Sequence, residues 1–217
     1  MREAVIQTVL DTKLVAIVRG VYGQDCLNLA KALCEGGIRA LEVTFDQSNS
    51  EAWQKTADTI SLLCRELGEK MLFGAGTVTS VELVNIAKAA GATFIVSPDT
   101  NAQVIAATVA AGMVSMPGAL TPTDVVTAWE AGADIVKLFP ISTFGPGYLK
   151  AIKAPLKHIP LMATGGVRPA NAMDYLNAGS SALGVGGDLV NKQWIAAGEF
   201  DKIGQAARDF ADSVKGA

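Results

Sequence analysis

The stretch TDVVTAWEAGADIVKLFP, residues 123–140, states in miniature how the whole chain is built. Its first part, Thr123–Ala131, carries apolar residues at helical spacing. Ala131-Gly132-Ala133 then interrupts, and glycine just past a helix end takes a left-handed conformation that other residues adopt only at a cost. The remainder, Asp134-Ile135-Val136-Lys137-Leu138-Phe139-Pro140, is a short apolar run of the length seen in strands buried on both faces of a parallel sheet. The unit is helix, glycine, strand.

The same unit recurs on both sides of this stretch. Glu35-Gly36-Gly37-Ile38, Ala90-Gly91-Ala92, Ala111-Gly112-Met113 and Ala178-Gly179-Ser180 repeat the glycine phrase. The apolar runs are Leu14–Val18, Ala40–Phe45, Met71–Ala75, Thr93–Val96, Val114–Met116, Ile135–Phe139, Leu161–Ala163 and Ala182–Val185. Ser80–Ala90 reads as a helix, and a last helix is expected near Phe200–Val214. Thr79, Thr121 and Ser48 are candidate N-caps, and Pro122 and Pro169 suit a first helical turn. Alternating strands and helices call for a parallel sheet with right-handed crossovers, and eight such strands close into a barrel. The expected fold is therefore α/β, a single-domain (β/α)8 TIM barrel spanning residues 1–217. An open doubly wound sheet would carry GxGxxG after its first strand, where this chain has Val18-Arg19-Gly20.

Composition narrows the function classes. Half of the residues are hydrophobic and 18% are charged, so a large core is affordable, and the formal charge is −3. No basic stripe or aromatic-interleaved Lys/Arg cluster points to nucleic acid or to an acidic membrane surface. No apolar run approaches the ~20 residues of a membrane span. The first residues do not read as a signal peptide, so a cytoplasmic protein is expected. Cys26, Cys34 and Cys64 lie in helical stretches without CxxC spacing and read as buried hydrophobes of a reducing compartment. His158 is the single histidine, in a loop-like segment, so neither a His-based metal site nor a Ser/His/Asp system is expected. Trp53, Trp129 and Trp194 fall in helical stretches and read as packing residues.

In a barrel of this kind the chemistry sits at the C-terminal ends of the strands. The polar residues there are Arg19, Glu42, Thr44, Thr77, Ser97, Lys137 and Thr164, with the pairs Gly165-Gly166 and Gly186-Gly187. Along the sixth run Ile135, Lys137 and Phe139 share one face, so Lys137 points into the barrel if Val136 and Leu138 meet the helices. Burial favours the neutral amine, which attacks carbonyls. The bland alternative is a lysine reaching out of the strand end to pair with a carboxylate. Glu42 and Thr44 likewise share a face opposite Leu41, Val43 and Phe45. A carboxyl there is raised by burial and lowered by a nearby cation, which suits it to take up and return protons. Its alternative is a structural ion pair with Lys137. The glycine pairs end the seventh and eighth strands, where barrels commonly hold a phosphate on backbone N–H groups.

Glu42-Val43-Thr44, Gly74-Ala75-Gly76-Thr77-Val78, Ser97-Pro98, Met116-Pro117-Gly118, Lys137-Leu138-Phe139-Pro140 and Thr164-Gly165-Gly166-Val167 occur in this order. Together they resemble the bacterial 2-keto-3-deoxy-6-phosphogluconate and 4-hydroxy-2-oxoglutarate aldolases over nearly the whole chain. The resemblance implies a Schiff-base aldolase without metal or cofactor, a homotrimer, acting on a small keto acid. It implies Lys137 as the imine-forming lysine and Glu42 as the proton shuttle. Arg19 and Thr77, with the backbone after Ser97-Pro98, would hold the keto-acid carboxylate, and Phe139 would pack on the pyruvate moiety. Gly165, Gly166, Gly186 and Gly187, beside Thr164, would line the phosphate end. Two positions depart from the pattern of some members: Asp46 stands where they carry arginine, and Asp188 where serine is frequent. Both leave open whether the substrate is phosphorylated. A phosphosugar isomerase or epimerase using Glu42 without a covalent step is the rival enzyme reading. A keto-acid or sugar-phosphate binding protein without catalysis is the rival from another class.

Overall fold

The computed structural model describes residues 2–187 and 189–216. Its strands are β1 (Leu14–Val18), β2 (Ala40–Thr44), β3 (Leu72–Gly76), β4 (Phe94–Val96), β5 (Val114–Met116), β6 (Gly118–Ala119), β7 (Val136–Leu138), β8 (Leu161–Thr164) and β9 (Ala182–Val185). All lie parallel in one sheet of order β5-β4-β3-β2-β1-β9-β8-β7-β6. The expected fifth run, Val114–Met116, is β5, and beyond Pro117, which has no N–H for a ladder, the strand continues as a further piece, β6. β5 pairs with β4, and β6 pairs with β7. Bonds from Asp134 N to Ser115 O (3.0 Å) and from Lys137 N to Pro117 O (2.8 Å) carry the ladder across the break. One split strand therefore joins both ends of the sheet, and the architecture is the (β/α)8 barrel.

The helices are α1 (Arg2–Thr12), α2 (Gly23–Glu35), α3 (Ala52–Leu67), α4 (Val81–Ala89), α5 (Ala102–Ala110), α6 (Pro122–Glu130), α7 (Gly145–Lys153), α8 (Pro169–Asn177), α9 (Lys192–Ala196) and α10 (Phe200–Ser213). The repeated glycine phrase does what its position requires: Gly37, Gly91, Gly112, Gly132 and Gly179 all take positive φ, between 74° and 106°. Thr121 caps α6 in a capping box with Asp124, and Pro122 opens that helix as expected. Two expected caps are corrected. Ser80, not Thr79, caps α4, its side chain accepting from Leu83 N at 3.3 Å, while Thr79 bonds Gln47. Ser48 caps nothing, because its N–H and hydroxyl both bind the Asp46 carboxylate in a local turn and α3 begins only at Ala52.

Strand alternation divides the core into two layers. Outward residues such as Leu41, Val43, Val136, Leu138 and Leu183 pack beneath the helices. Inward residues Val15, Ala40, Phe94, Val96, Val114, Met116, Ile135, Met162 and Ala182 fill the barrel. α1, which the sequence pattern did not disclose, closes the lower end by adding Val5 and Val9 to this inner cluster. An ion pair from Arg2 to Asp134 (2.8 Å) fastens it there. Gly74 makes room for the Phe94 ring, which lies 2.3 Å from where a Cβ would stand. The result is an apolar floor beneath the C-terminal ends of the strands.

Candidate active site

Above that floor the inward positions turn polar. Glu42 on β2 stands one alternation above Ala40, and Lys137 on β7 one above Ile135, so both side chains point into the barrel from opposite sides of the ring. They are 2% and 7% exposed, an unusual burial for ionisable groups. Neither an ion pair within 4.0 Å nor a hydrogen bond joins them among the described residues, and Glu42 Oε2 is buried without any partner. The ion-pair and snorkelling alternatives are therefore not what the structure contains. Lys137 Nζ instead lies 4.8 Å from the centroid of the Phe139 ring.

Burial raises the Glu42 carboxyl above its ordinary range, with Lys137 and then Arg19 pulling it partly back. Burial lowers the Lys137 amine, opposed by Glu42 and reinforced by Arg19. Desolvation leads in both, so each group is shifted toward its neutral form. A glycine keeps the carboxyl in place: at Gly76, the end of β3, a Cβ would meet Cδ and Oε1 of Glu42 at 2.8 Å.

These groups line a pocket of about 520 Å³, ample for a small keto acid. The residues expected to react with substrate or hold it all reach this pocket: Arg19, Glu42, Thr77, Pro98, Lys137, Phe139, Thr164, Gly165, Gly166, Gly186 and Gly187. Thr77 sits at φ 56°, a left-handed conformation that is costly for a β-branched residue. Gly165 and Gly166 are also left-handed, at 103° and 70°, and lead directly into the first turn of α8. Asn171 stitches that loop by donating to Gly166 O (3.1 Å) and accepting from Arg168 N (2.8 Å). Thr44 and Ser97 do not line the pocket. Thr44 borders an adjacent one of about 320 Å³, and the Ser97 hydroxyl donates to Val78 O. Asp46 lies on that neighbouring pocket too, its carboxyl held low by hydrogen bonds from Ser48. Asp188 lies outside the described residues.

Sequence reasoning missed Ile17, Val167, Arg168, Gly184, Val190 and Lys192. Alternation could have found two of them, since Ile17 shares a face with Val15 and Arg19, and Gly184 with Gly186. No periodic signal marks Arg168 or Lys192, which sit beyond strand ends. Lys192 arches back from the start of α9, its Nζ 3.5 Å from where a Cβ on Gly20 would be.

Residues 5–206 match the family described as KDPG and KHG aldolase. The chain is 36% identical to the 2-dehydro-3-deoxy-6-phosphogalactonate aldolase of Escherichia coli K12 over 93% of its own length and 94% of that protein's. Among solved structures, a native KDPGal structure superimposes with a TM-score of 0.83 at 36% identity, covering 92% of this chain and 93% of the other. A Legionella pneumophila KDPG aldolase, solved with pyruvate captured at low pH as a covalent carbinolamine intermediate, gives 0.82 at 26% identity over 94% and 96% of the two chains. With a lysine and a carboxyl facing each other over an apolar barrel floor, and with this likeness running almost end to end, the chain belongs to the KDPG and KHG aldolase family.

Proposed function

We propose that this aldolase cleaves a 2-keto-3-deoxy sugar acid, or 4-hydroxy-2-oxoglutarate, to pyruvate and an aldehyde through an imine on Lys137. The observation that carries the reading is the pair of buried, unbonded groups, Lys137 and Glu42, converging on one pocket. The neutral amine adds to the C2 carbonyl of the keto acid, and loss of water leaves a protonated imine. The Glu42 carboxylate takes the proton of the C4 hydroxyl, the C3–C4 bond breaks, and its electron pair passes into the imine to give an enamine. The aldehyde departs. Glu42 then returns the proton to C3, and hydrolysis of the imine releases pyruvate and the free lysine. Arg19 and Thr77, with the backbone after Pro98, hold the substrate carboxylate and fix the carbonyl against the amine. Phe139 packs on the pyruvate moiety, and Thr164 with the two glycine pairs receives the far end of the substrate. The carbinolamine trapped in the Legionella relative supports the covalent step.

The same reading makes the assembly a homotrimer working in the cytoplasm on a small-molecule substrate. Cys26, Cys34 and Cys64 are free thiols, as a reducing compartment would keep them. Sedimentation of the purified protein tests the trimer.

The central claim is tested by mass spectrometry after treatment with pyruvate and borohydride. A reduced adduct on the peptide containing Lys137 is expected, and Lys137→Met abolishes both adduct and cleavage while leaving the fold intact. Near-normal turnover by that variant would remove the imine from the mechanism.

A further inference from the structure

The strained conformation of Thr77 has a specific support that lies outside the catalytic pocket. Thr77 is one of two non-glycine described residues with positive φ, the other being Lys13, and it alone faces the pocket. A left-handed threonine relaxes unless its surroundings hold it. Around it, Phe45 N donates to Gly76 O (2.9 Å) and Val78 N to Val96 O (3.2 Å), so both flanking peptides belong to the barrel. The Thr77 carbonyl itself is held by one group from another loop. Gln47 Nε2 donates to it at 2.7 Å, while Gln47 Oε1 accepts from the Thr79 hydroxyl at 2.8 Å. A carbonyl oxygen accepts only, so the amide orientation is fixed by its partner. Gln47 is exposed and absent from the catalytic pocket; it spans from the loop after β2 to the loop after β3.

We propose that Gln47 is a positioning residue for keto-acid capture: its side-chain amide clamps the Thr77 peptide and so aims Thr77 at the substrate carboxylate. The inference rests on the proposed role of Thr77 in holding that carboxylate. It separates Gln47 from a rim residue that merely tolerates solvent, because only an amide satisfies both partners. A glutamate of the same size would still accept from Thr79 but would set acceptor against acceptor at Thr77 O.

The test compares the wild-type protein with Gln47→Ala, Gln47→Glu, Thr77→Gly and the double variant Thr77→Gly/Gln47→Ala. Two readouts are used: the pyruvate concentration giving half-maximal borohydride trapping, and KM and kcat for cleavage. Loss of one hydrogen bond predicts a rise of about fivefold in half-saturating pyruvate and in KM for Gln47→Ala and Gln47→Glu. Their kcat stays within about twofold, since the reacting groups are untouched. Thr77→Gly removes the side chain that Gln47 aims, and glycine adopts the left-handed conformation unaided, so in that background Gln47→Ala adds no further rise. Unchanged half-saturation in Gln47→Ala would overturn the proposal. So would a full fivefold rise persisting in the Thr77→Gly background, or a fall in kcat at constant KM. Absence of any adduct in the wild-type protein is a different result, which overturns the imine reading and this inference with it.

Discussion

Replacing Gly76 with alanine isolates the part played by the Glu42 carboxyl. Gly76 ends β3 outside the left-handed region, so alanine meets no backbone penalty there and the substitution tests space alone. The added Cβ would stand 2.8 Å from Cδ and Oε1 of Glu42 and 2.9 Å from Cγ2 of Thr44. Ordinary contact begins at 3.4 Å, so the carboxyl, which lines the pocket, must shift by about 0.6 Å from its place. A displacement of ~1 Å at a reacting group costs on the order of 100-fold, which puts the loss in kcat at roughly 10- to 100-fold. Overpacking costs about 1–3 kcal/mol, visible as a Tm lower by a few degrees. The informative assay is exchange of the pyruvate methyl protons in deuterated water, followed by NMR, because it needs the imine and the proton shuttle but no aldehyde. Exchange and cleavage should fall together while borohydride trapping on Lys137 stays near the wild-type level. Gly147→Ala, in α7 with open space around its Cβ, serves as the control and leaves all three readouts unchanged. Wild-type exchange in a folded Gly76→Ala protein would refute the shuttle assigned to Glu42, and so would loss of trapping equal to the loss of exchange.

Glu42→Gln removes the group that raises the Lys137 amine and leaves burial and Arg19, which both lower it. The acid limb of the trapping rate should therefore move to lower pH as cleavage collapses; a limb that stays put or moves up refutes the coupling. Thr121→Ala breaks the capping box of α6 and should cost about 1 kcal/mol, or ~2–4 °C in Tm, with kcat unchanged. An unaltered melting curve would show that the cap contributes nothing.

The strands and their inward faces were legible because alternation is a local signal that a barrel enforces globally. Once Val136 and Leu138 are set against the helices, Lys137 has nowhere to point but inward, and Ala40 orients Glu42 in the same way. The glycine phrases were legible because the left-handed turn they supply is needed between each helix and the next strand. The features that escaped lie where no period operates. Arg168 and Lys192 reach the pocket from loop and helix-start positions, and the direction of such side chains is set by packing alone. α1 carries Val5 and Val9 one helical turn apart, too short a stripe to distinguish from a strand end without the barrel floor it covers. Thr79 was expected to cap α4, but Gln47 on a distant loop takes its hydroxyl and the adjacent Ser80 caps the helix instead, a choice no local pattern announces.

The pair proposed for catalysis also makes stability depend on pH. The folded state holds the Glu42 proton more tightly than the unfolded chain does. That group's contribution to stability is therefore greatest at low pH and declines as pH rises from the ordinary carboxylate range through its raised value. The Lys137 amine is depressed, so the folded state binds its proton less tightly. Its penalty is complete below the lowered value and fades as pH rises toward the ordinary lysine range. Between these titrations the two sites share a single proton, and the states Glu⁻/Lys⁺ and GluH/Lys⁰ differ only in where it sits. Contact within 4.0 Å would favour the ion pair, and its absence weakens that attraction while burial acts against both charges. Burial thus biases the pair toward the state with a neutral amine, the form that the proposed mechanism needs for addition to a carbonyl. In the proposed mechanism, addition of the amine and loss of water restore the positive charge beside Glu42, as a protonated imine. The carboxyl then favours its ionised form at the step where it must accept the C4 hydroxyl proton.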